Sequence, residues 1–539
     1  MINTTSKIRL MKLSPIILIT MVTLALWLPG NRANAADGTP IWTNYYNGTG
    51  QAQDGVTAMA LDNNGNVYVT GYSDGAGTGR DFATIKYSGS GTALWTNRFN
   101  GPGNDYDYPN ALAVDAGGNV YVGGTSYNSA GGSYNYATIK YSTAGMPVWT
   151  NYYSSPGDKQ DQVTAIAVDS SGNVFVSGVS GYSGAGSYDF ATIKYSSAGV
   201  ASWTNRFGVA NPTFERISLG LDAGGNVYIS GSTADQSTGG FDYATLKYSS
   251  SGVALWTNIY PAGGYYNDRA KTLAVDTGGN VFVTGSSVGT AGDQDYATVK
   301  YSTEGIPLWT NRFNGAGNGA DRLPVITTDA GGNAIVTGSS TGIGNDLEYA
   351  TLKYSPTGTT LWTNRYNGAA SSVDLGDDVC TDDSGNVYVT GFSGPVGSWD
   401  NATVKYSPTG TALWTNVFHA RAIDPDSFPV LVTVDHLGNV FVAGSVYDNN
   451  GQANFFTVKY SGPPPPLRFA TSNGSLGYTN GQFALTLTGP PGSNVVVSAS
   501  SDLQTWNPLI TNQLSGGTLR FTDATATNFS RRYYRARLQ

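Results

Sequence analysis

Eight copies of one five-residue turn, Asp-x-x-Gly-Asn, recur along this 539-residue chain, and a turn repeated so regularly confines it to a stack of similar units. The copies are Asp62–Asn66, Asp115–Asn119, Asp169–Asn173, Asp222–Asn226, Asp276–Asn280, Asp329–Asn333, Asp382–Asn386 and Asp435–Asn439. Each precedes a β-branched and aromatic run such as Val120–Val122, and follows one that alternates small and aliphatic residues, such as Ala58–Leu61. A glycine such as Gly118 can take positive φ and close a hairpin. The aspartate can accept hydrogen bonds from the turn backbone, and the flanking runs favour strands.

Two further motifs keep the same period. Trp-Thr-Asn begins at Trp42, Trp95, Trp149, Trp203, Trp256, Trp309, Trp362 and Trp414, at intervals of 52 to 54 residues. Lys-Tyr-Ser supplies Lys86, Lys140, Lys194, Lys247, Lys300, Lys353 and Lys405, with Lys459 in the last copy. Each period therefore holds four strand candidates, which in the third copy are Thr164–Val168, Asn173–Val176, Phe190–Tyr195 and Ser202–Arg206. Four strands per repeat of about 50 residues, stacked radially, is the pattern of a β-propeller blade, with the small-residue strand innermost and the tryptophans at the wider rim. A fourth-type strand, Ile41–Tyr45, precedes the first repeat, and the last repeat stops at Tyr460 without one. The spacing thus predicts an all-β chain with an eight-bladed β-propeller over 36–461, in which the N-terminal strand closes the last blade.

The frame Asp161, Ala165–Asp169, Gly172–Val176 and Asp189–Tyr195 resembles the bacterial SBBP-type β-propeller repeat, and the resemblance recurs eight times over about residues 41–461. It implies a secreted or cell-surface protein, and the repeat implies no catalytic residues. Past Gly462 and the four prolines 463–466, a stiff linker, the repeat ends. Residues 467–539 carry strand-like runs at Phe483–Thr488, Val495–Ser500, Trp506–Ile510, Leu519–Thr522 and Tyr533–Leu538, which predict a small β-sandwich. Its Ser500–Trp506 and Arg532–Arg537 runs are similar to a C-terminal module of secreted planctomycete and verrucomicrobial proteins.

Lys7, Arg9 and Lys12 precede the apolar run Pro15–Leu28, and Ala33-Asn34-Ala35 offers a small-residue cleavage site, the layout of a signal peptide over 1–35. Fourteen residues would span only about 21 Å as a helix, short of a hydrocarbon core of about 30 Å. Cleavage takes the basic residues from 29 to 25 against 37 acidic ones, a net charge of −12, which argues against nucleic acid and anionic membranes as partners. The reading is of a secreted monomer with no cofactor. Its one cysteine, Cys380, occupies a column of small residues (Ala60, Ala113, Ala167, Gly220, Ala274, Thr327, Thr433), so it reads as a small buried side chain.

In a four-stranded meander alternate connections share a face. The short turns between first and second and between third and fourth strands lie on one side. The longer, unequal loops, such as Tyr72–Arg80, Thr125–Tyr134 and Asn100–Pro109, lie on the other, where binding usually resides. Catalytic material is sparse: His419 and His436 are isolated, and no nucleophile or metal constellation assembles around them. Six aspartates recur eight residues before the turn aspartates: Asp54, Asp107, Asp161, Asp268, Asp321 and Asp374. They are candidates for ligand or cation binding on the variable face, with backbone capping as the plainer role. Trp399 departs from the repeat and is the candidate exposed indole for a sugar or protein ligand. These features lead to an expected binding scaffold for an extracellular protein or glycan, without enzymatic activity. A carbohydrate-active enzyme on a propeller is the alternative, and a quinone-dependent dehydrogenase fits less well, since adjacent cysteines are absent.

Overall fold

A computed structural model of the chain describes residues 8–11, 37–50, 53–181, 188–209, 217–234, 239–261, 267–289, 292–368, 373–395, 399–419, 430–448, 451–463, 467–470, 476–479, 482–489, 493–515, 517–529 and 531–538. It divides into two compact units, Pro40–Ser461 and Met1–Thr39 with Gly462–Gln539. Among the described residues the only helical element is the 3-10 turn Ala526–Asn528, and no helix is long and apolar enough to cross a membrane.

Within Pro40–Ser461 the strands form eight four-stranded antiparallel sheets among the described residues. The first comprises Asp54–Leu61, Val67–Gly75, Gly79–Tyr87 and Ala93–Phe99, hydrogen-bonded in chain order. In the last, Leu431–Val434, Val440–Tyr447 and Ala453–Tyr460 are joined by Pro40–Tyr46 from the other end of the sequence. Trp42 stands opposite Lys459, the register that Trp95 keeps with Lys86 within one hairpin. Successive first strands touch one another, and Asp54–Leu61 also touches Leu431–Val434. These are sheets of β-propeller type.

The turn motif works locally as its residues require. Asp62 N–H bonds Asn66 O at 3.0 Å and Gly65 N–H bonds Asp62 O at 3.0 Å, with Gly65 at φ 73°. Asp62 Oδ1 accepts from the main-chain N–H groups of Asn64 and Asn66, both at 2.9 Å, and Oδ2 accepts from Asn66 Nδ2 at 2.7 Å. The carboxylate is thus consumed in its own turn, a use that also holds its pKa below the usual carboxylate range.

Hydrophobic burial then joins sheet to sheet. Val120, Val122, Ala137 and Ile139 of the second repeat pack with Tyr68 and Phe82 of the first. Val56, Val67 and Val69 pack in the same way with Phe441 and Phe455 of the eighth. At the outer edge, Trp95 lies over Gly145, where an added Cβ would meet the ring at 2.7 Å. Its Nε1 donates to Thr143 O at 3.1 Å, and Lys86 Nζ donates to the same carbonyl at 3.3 Å. Trp42 repeats the contact on Gly91, with its Nε1 and Lys459 Nζ both donating to Gly89 O, at 3.2 and 2.8 Å.

The strands outrun their sequence signals. The third repeat's extend over Asp161–Val168, Val174–Gly181, Tyr188–Tyr195 and Ala201–Val209. The stretch 72–80, expected as a loop, is mostly ladder, with Asp74 opposite Arg80 and Gly75 opposite Gly79. Backbone pairing needs no particular side chain, so a sequence-variable hairpin stays a hairpin.

In the second unit, Arg531–Leu538, Asn494–Ser500 and Asn507–Gln513 form one sheet. Arg468–Phe469, Leu476–Thr479, Gln482–Thr488 and Thr518–Asp523 form another. Phe483, Leu485, Val495, Val497 and Tyr534 share one core. Of the expected signal segment, Ile8–Met11 pairs by its backbone with Arg531–Tyr534, and the remaining positions lie outside the described residues, as do Pro464–Pro466 of the linker.

A chain lacking residues 40–46 leaves Ala453–Tyr460 as an open edge and removes Trp42 and Tyr46 from the core they share with the first repeat. Calorimetry should show its repeat unit melting well below the parent. Trp42→Ala alone should cost about 3–5 kcal/mol, and equal melting would refute closure by this strand.

Candidate functional site

Opposite the short turns, one residue from each strand meets its neighbours. In the first repeat Arg98, on the fourth strand, donates through Nη1 to Ser73 Oγ at 2.7 Å, and through Nη2 to Ser73 O at 2.8 Å and Asp81 Oδ2 at 2.9 Å. Ser73 in turn bonds Asp54, at the start of the first strand, so a polar network crosses the sheet. Arg206 reproduces it with Ser180 and Asp189, and Ser180 Oγ donates to Asp161 Oδ1 at 2.6 Å. Arg312 engages Ser287 and Asp295, and Arg365 engages Ser340 and Glu348.

The six candidate aspartates lie beneath this face, spent on main-chain groups whether or not an arginine is present. Asp54, Asp107, Asp161, Asp268, Asp321 and Asp374 are all buried. Oδ2 accepts the main-chain N–H of the incoming loop: Gly48 at 2.6 Å for Asp54, Gly101 at 2.5 Å for Asp107, Ser155 at 2.7 Å for Asp161, Gly315 at 2.6 Å for Asp321 and Gly368 at 3.0 Å for Asp374. Oδ1 of Asp268 accepts Val288 N–H at 3.2 Å. Burial raises the pKa of Asp54, Asp107, Asp161 and Asp321, and these hydrogen bonds oppose the rise. Each residue serves its own sheet, and no group of three metal-ligating side chains comes together among the described residues.

Trp399 is not the exposed indole expected. It is half-buried at the boundary of the last two sheets, packed against the core that contains Phe392, Val430, Val432 and Phe456, and its Nε1 is buried. The third-strand column that holds Phe82, Tyr136 and Phe190 in other repeats holds Asn401 here. Trp399 and Phe456 supply aromatic bulk to the boundary that Asn401 does not. His419 is exposed with Nδ1 2.8 Å from Asp400 Oδ2, and His436 is exposed near Asp383. Cys380 is partly covered in the core, where burial and two neighbouring aspartates push its thiol up, away from nucleophilic use.

Sequence reasoning missed the arginines. Their signal is a column pairing: Arg98, Arg206, Arg312 and Arg365 face Asp81, Asp189, Asp295 and Glu348, Tyr152 and Tyr45 accompany Asn135 and Asn454, and Ile259 and Val417 accompany Asp242 and Asp400. It also missed Asp378, on Val373–Thr381, which accepts Val432 N–H of the next repeat at 2.9 Å. Burial pushes this carboxyl up to about 6 against the pull of that bond and of Lys271. Two open cavities lie among the described residues of the repeats. One of about 380 Å³ lies by the short turns, lined by Asp329, Lys353, Asn333, Ser384 and Pro408, where the usual second-strand aromatic is Ile335. Its polar groups satisfy one another, Lys353 Nζ lying 2.8 Å from Asp329 Oδ2. The other, of about 220 Å³, lies on the variable face of the second repeat.

Residues 41–77 match the SBBP β-propeller repeat. This is a β-propeller repeat protein. Over 464 residues it is 24% identical to an uncharacterised WD repeat-containing protein of Acanthamoeba polyphaga mimivirus, a match that takes in 69% of this chain and 31% of that one. Among solved structures it resembles polysaccharide lyase Uly1, with TM-score 0.40 and 11% identity over 81% of this chain and 94% of that one. It resembles the β-propeller domain of the trilobed protease of Pyrococcus furiosus at 0.39 and 8%, over 66% and 95%. For the acylaminoacyl peptidase of Pyrococcus horikoshii the values are 0.36 and 8%, over 72% and 57%. The likeness is one of fold. The expectation of a chain without enzymatic activity is corrected: the solved structures it resembles include a polysaccharide lyase and an acylaminoacyl peptidase, and regular repeats do not mark a non-enzyme.

Two outcomes test these placements. Trp399→Ala should lower the melting temperature, at a cost of about 2–4 kcal/mol for a half-buried indole; unchanged melting would return the residue to the surface. Asp378 holds its proton more tightly folded than unfolded, so its contribution to stability is present at low pH and is lost as pH rises from about 4 to about 6. Asp378→Asn should therefore stabilise the propeller at pH 7.5 by about 2–3 kcal/mol and do little at pH 4. Equal gains at both pH values would detach the effect from ionisation.

Proposed function

We propose that this protein is an exported scaffold, an eight-bladed ring closed by Pro40–Tyr46, that binds an extracellular protein or glycan on its variable-loop face. The observation that carries this reading is an aromatic surface on that face. Arg80 lies 4.5 Å from the Tyr72 ring centroid and 5.6 Å from that of Tyr108. Tyr106 stacks on Tyr108 at 6.2 Å while remaining 45% exposed, and Tyr127 packs on Tyr134 at 5.2 Å. Held tyrosines offer large contact area at small entropic cost, the composition of a recognition surface. On the opposite face the eight turns share one motif and their carboxylates hold the turns together.

The charge of −12 after cleavage at Ala35 and the basic-then-apolar N-terminus support export. Two sheets around one core support a β-sandwich over 467–539, of the kind appended to secreted planctomycete and verrucomicrobial proteins. In a screen of glycans and cell surfaces, Tyr106→Ala should weaken binding of the strongest ligand by about 1–3 kcal/mol with little change in melting. Binding insensitive to Tyr106, Tyr108 and Tyr152 alike would overturn the reading.

A further inference from the structure

The fourth-strand residue after Trp-Thr-Asn is arginine in the first, third, fifth and sixth repeats. There its guanidinium occupies the space between a second-strand serine and a third-strand carboxylate, as Arg98 does between Ser73 and Asp81. The second repeat keeps the serine, Ser126, and the aspartate beneath it, Asp107, but replaces the carboxylate by Asn135 and the arginine by Tyr152. Tyr152 does not fill the space, since it is 45% exposed. What remains is the cavity of about 220 Å³, lined by Pro102, Ser126, Tyr127, Asn128, Asn135 and Tyr152. Asn135 is only 6% exposed, and its buried Oδ1 has no hydrogen-bond partner. A buried acceptor left unsatisfied is destabilising, so the site is poised for a donor from outside.

We propose that this cavity binds one neutral sugar residue. Removing the arginine together with its carboxylate partner leaves lining side chains without formal charge, and the Asp107 carboxylate beneath them is already held by the N–H groups of Gly101 and Tyr127, which favours an uncharged guest over a cation that would lose its water without a free counter-charge. Asn135 Oδ1 offers an acceptor, Asn128 Nδ2 a donor and the Ser126 oxygen, whose proton goes to Asp107, a further acceptor, matching sugar hydroxyls that both donate and accept. The rings of Tyr127 and Tyr152 border the cavity and provide apolar surface for the C–H face of a pyranose. The proposal rests on the variable-face reading and deepens it.

The test is saturation-transfer NMR of the full chain with glucose, galactose, mannose, rhamnose and L-arginine. It is followed by the double variant Asn135→Asp with Tyr152→Arg, which rebuilds the first repeat's network inside the cavity. At least one neutral sugar should bind, and the double variant should bind it at least tenfold more weakly while melting no lower than the parent. Should the double variant melt lower, the pair Asn135→Ala and Tyr152→Ala must each weaken the same sugar. Sugar binding unchanged in these variants overturns the site and leaves the variable-face reading standing. Binding of arginine in preference to every sugar, abolished by the double variant, makes this a guanidinium site and overturns the proposal, as does the absence of any sugar binding.

Discussion

An indole laid flat on a glycine is the contact that the rest of the repeat unit depends on. At seven boundaries a fourth-strand tryptophan covers the glycine of the next repeat's outer turn so closely that a Cβ there would meet the ring at 2.7 or 2.8 Å. Around it the third-strand lysine is buried with its ammonium bonded to a turn carbonyl, as Lys140 is to Ser197 O at 2.8 Å, over an aromatic face, as Lys247 is over Tyr228 at 4.7 Å. A buried cation needs such partners to offset its lost hydration. Where the aromatic face is missing, at Ile335, Lys353 closes on Asp329 to 2.8 Å, against 3.7 Å for Lys247 and Lys300 with their turn aspartates. At the seam the pattern lapses: Trp414 Nε1 is buried without a partner, since the eighth repeat's outer turn is where the chain is interrupted.

The two faces of the repeat unit follow from this division of labour. On the short-turn side every copy keeps the aspartate, the asparagine and the lysine, because each is required by the turn or by the next sheet. On the other side the arginine network holds four repeats and is absent from the rest, so that face is free to exchange internal packing for surface chemistry. The second repeat shows such an exchange, with a tyrosine at the rim and an unsatisfied amide beneath it, and the eighth repeats the pair with Tyr45 and Asn454.

Much of this was legible in the residues alone, and the errors have a common origin. Strand positions came through because alternation and turn chemistry are local, down to the strand Pro40–Tyr46 that pairs far from its neighbours in sequence. The six aspartates were visible as a column, but spacing records where a carboxylate stands and not which amides it already holds. Trp399 looked exposed because its reason, the vacancy made by Asn401 at the next sheet, lies across a boundary. The arginine and carboxylate columns could have been read together, since every arginine stands with a carboxylate, while Asp242 and Asp400 keep theirs beside Ile259 and Val417.

By itself the sequence determined the repeat, its four strands and the turns between them, because glycine at positive φ, a capping aspartate and period-two hydrophobicity act within a few residues. Tertiary structure decided which polar groups are spent and which are left over. Satisfaction of a buried carboxylate, the depth of an indole and the emptiness beside Asn135 depend on side chains delivered by other strands and neighbouring sheets. Only their packing brings those groups within hydrogen-bonding reach.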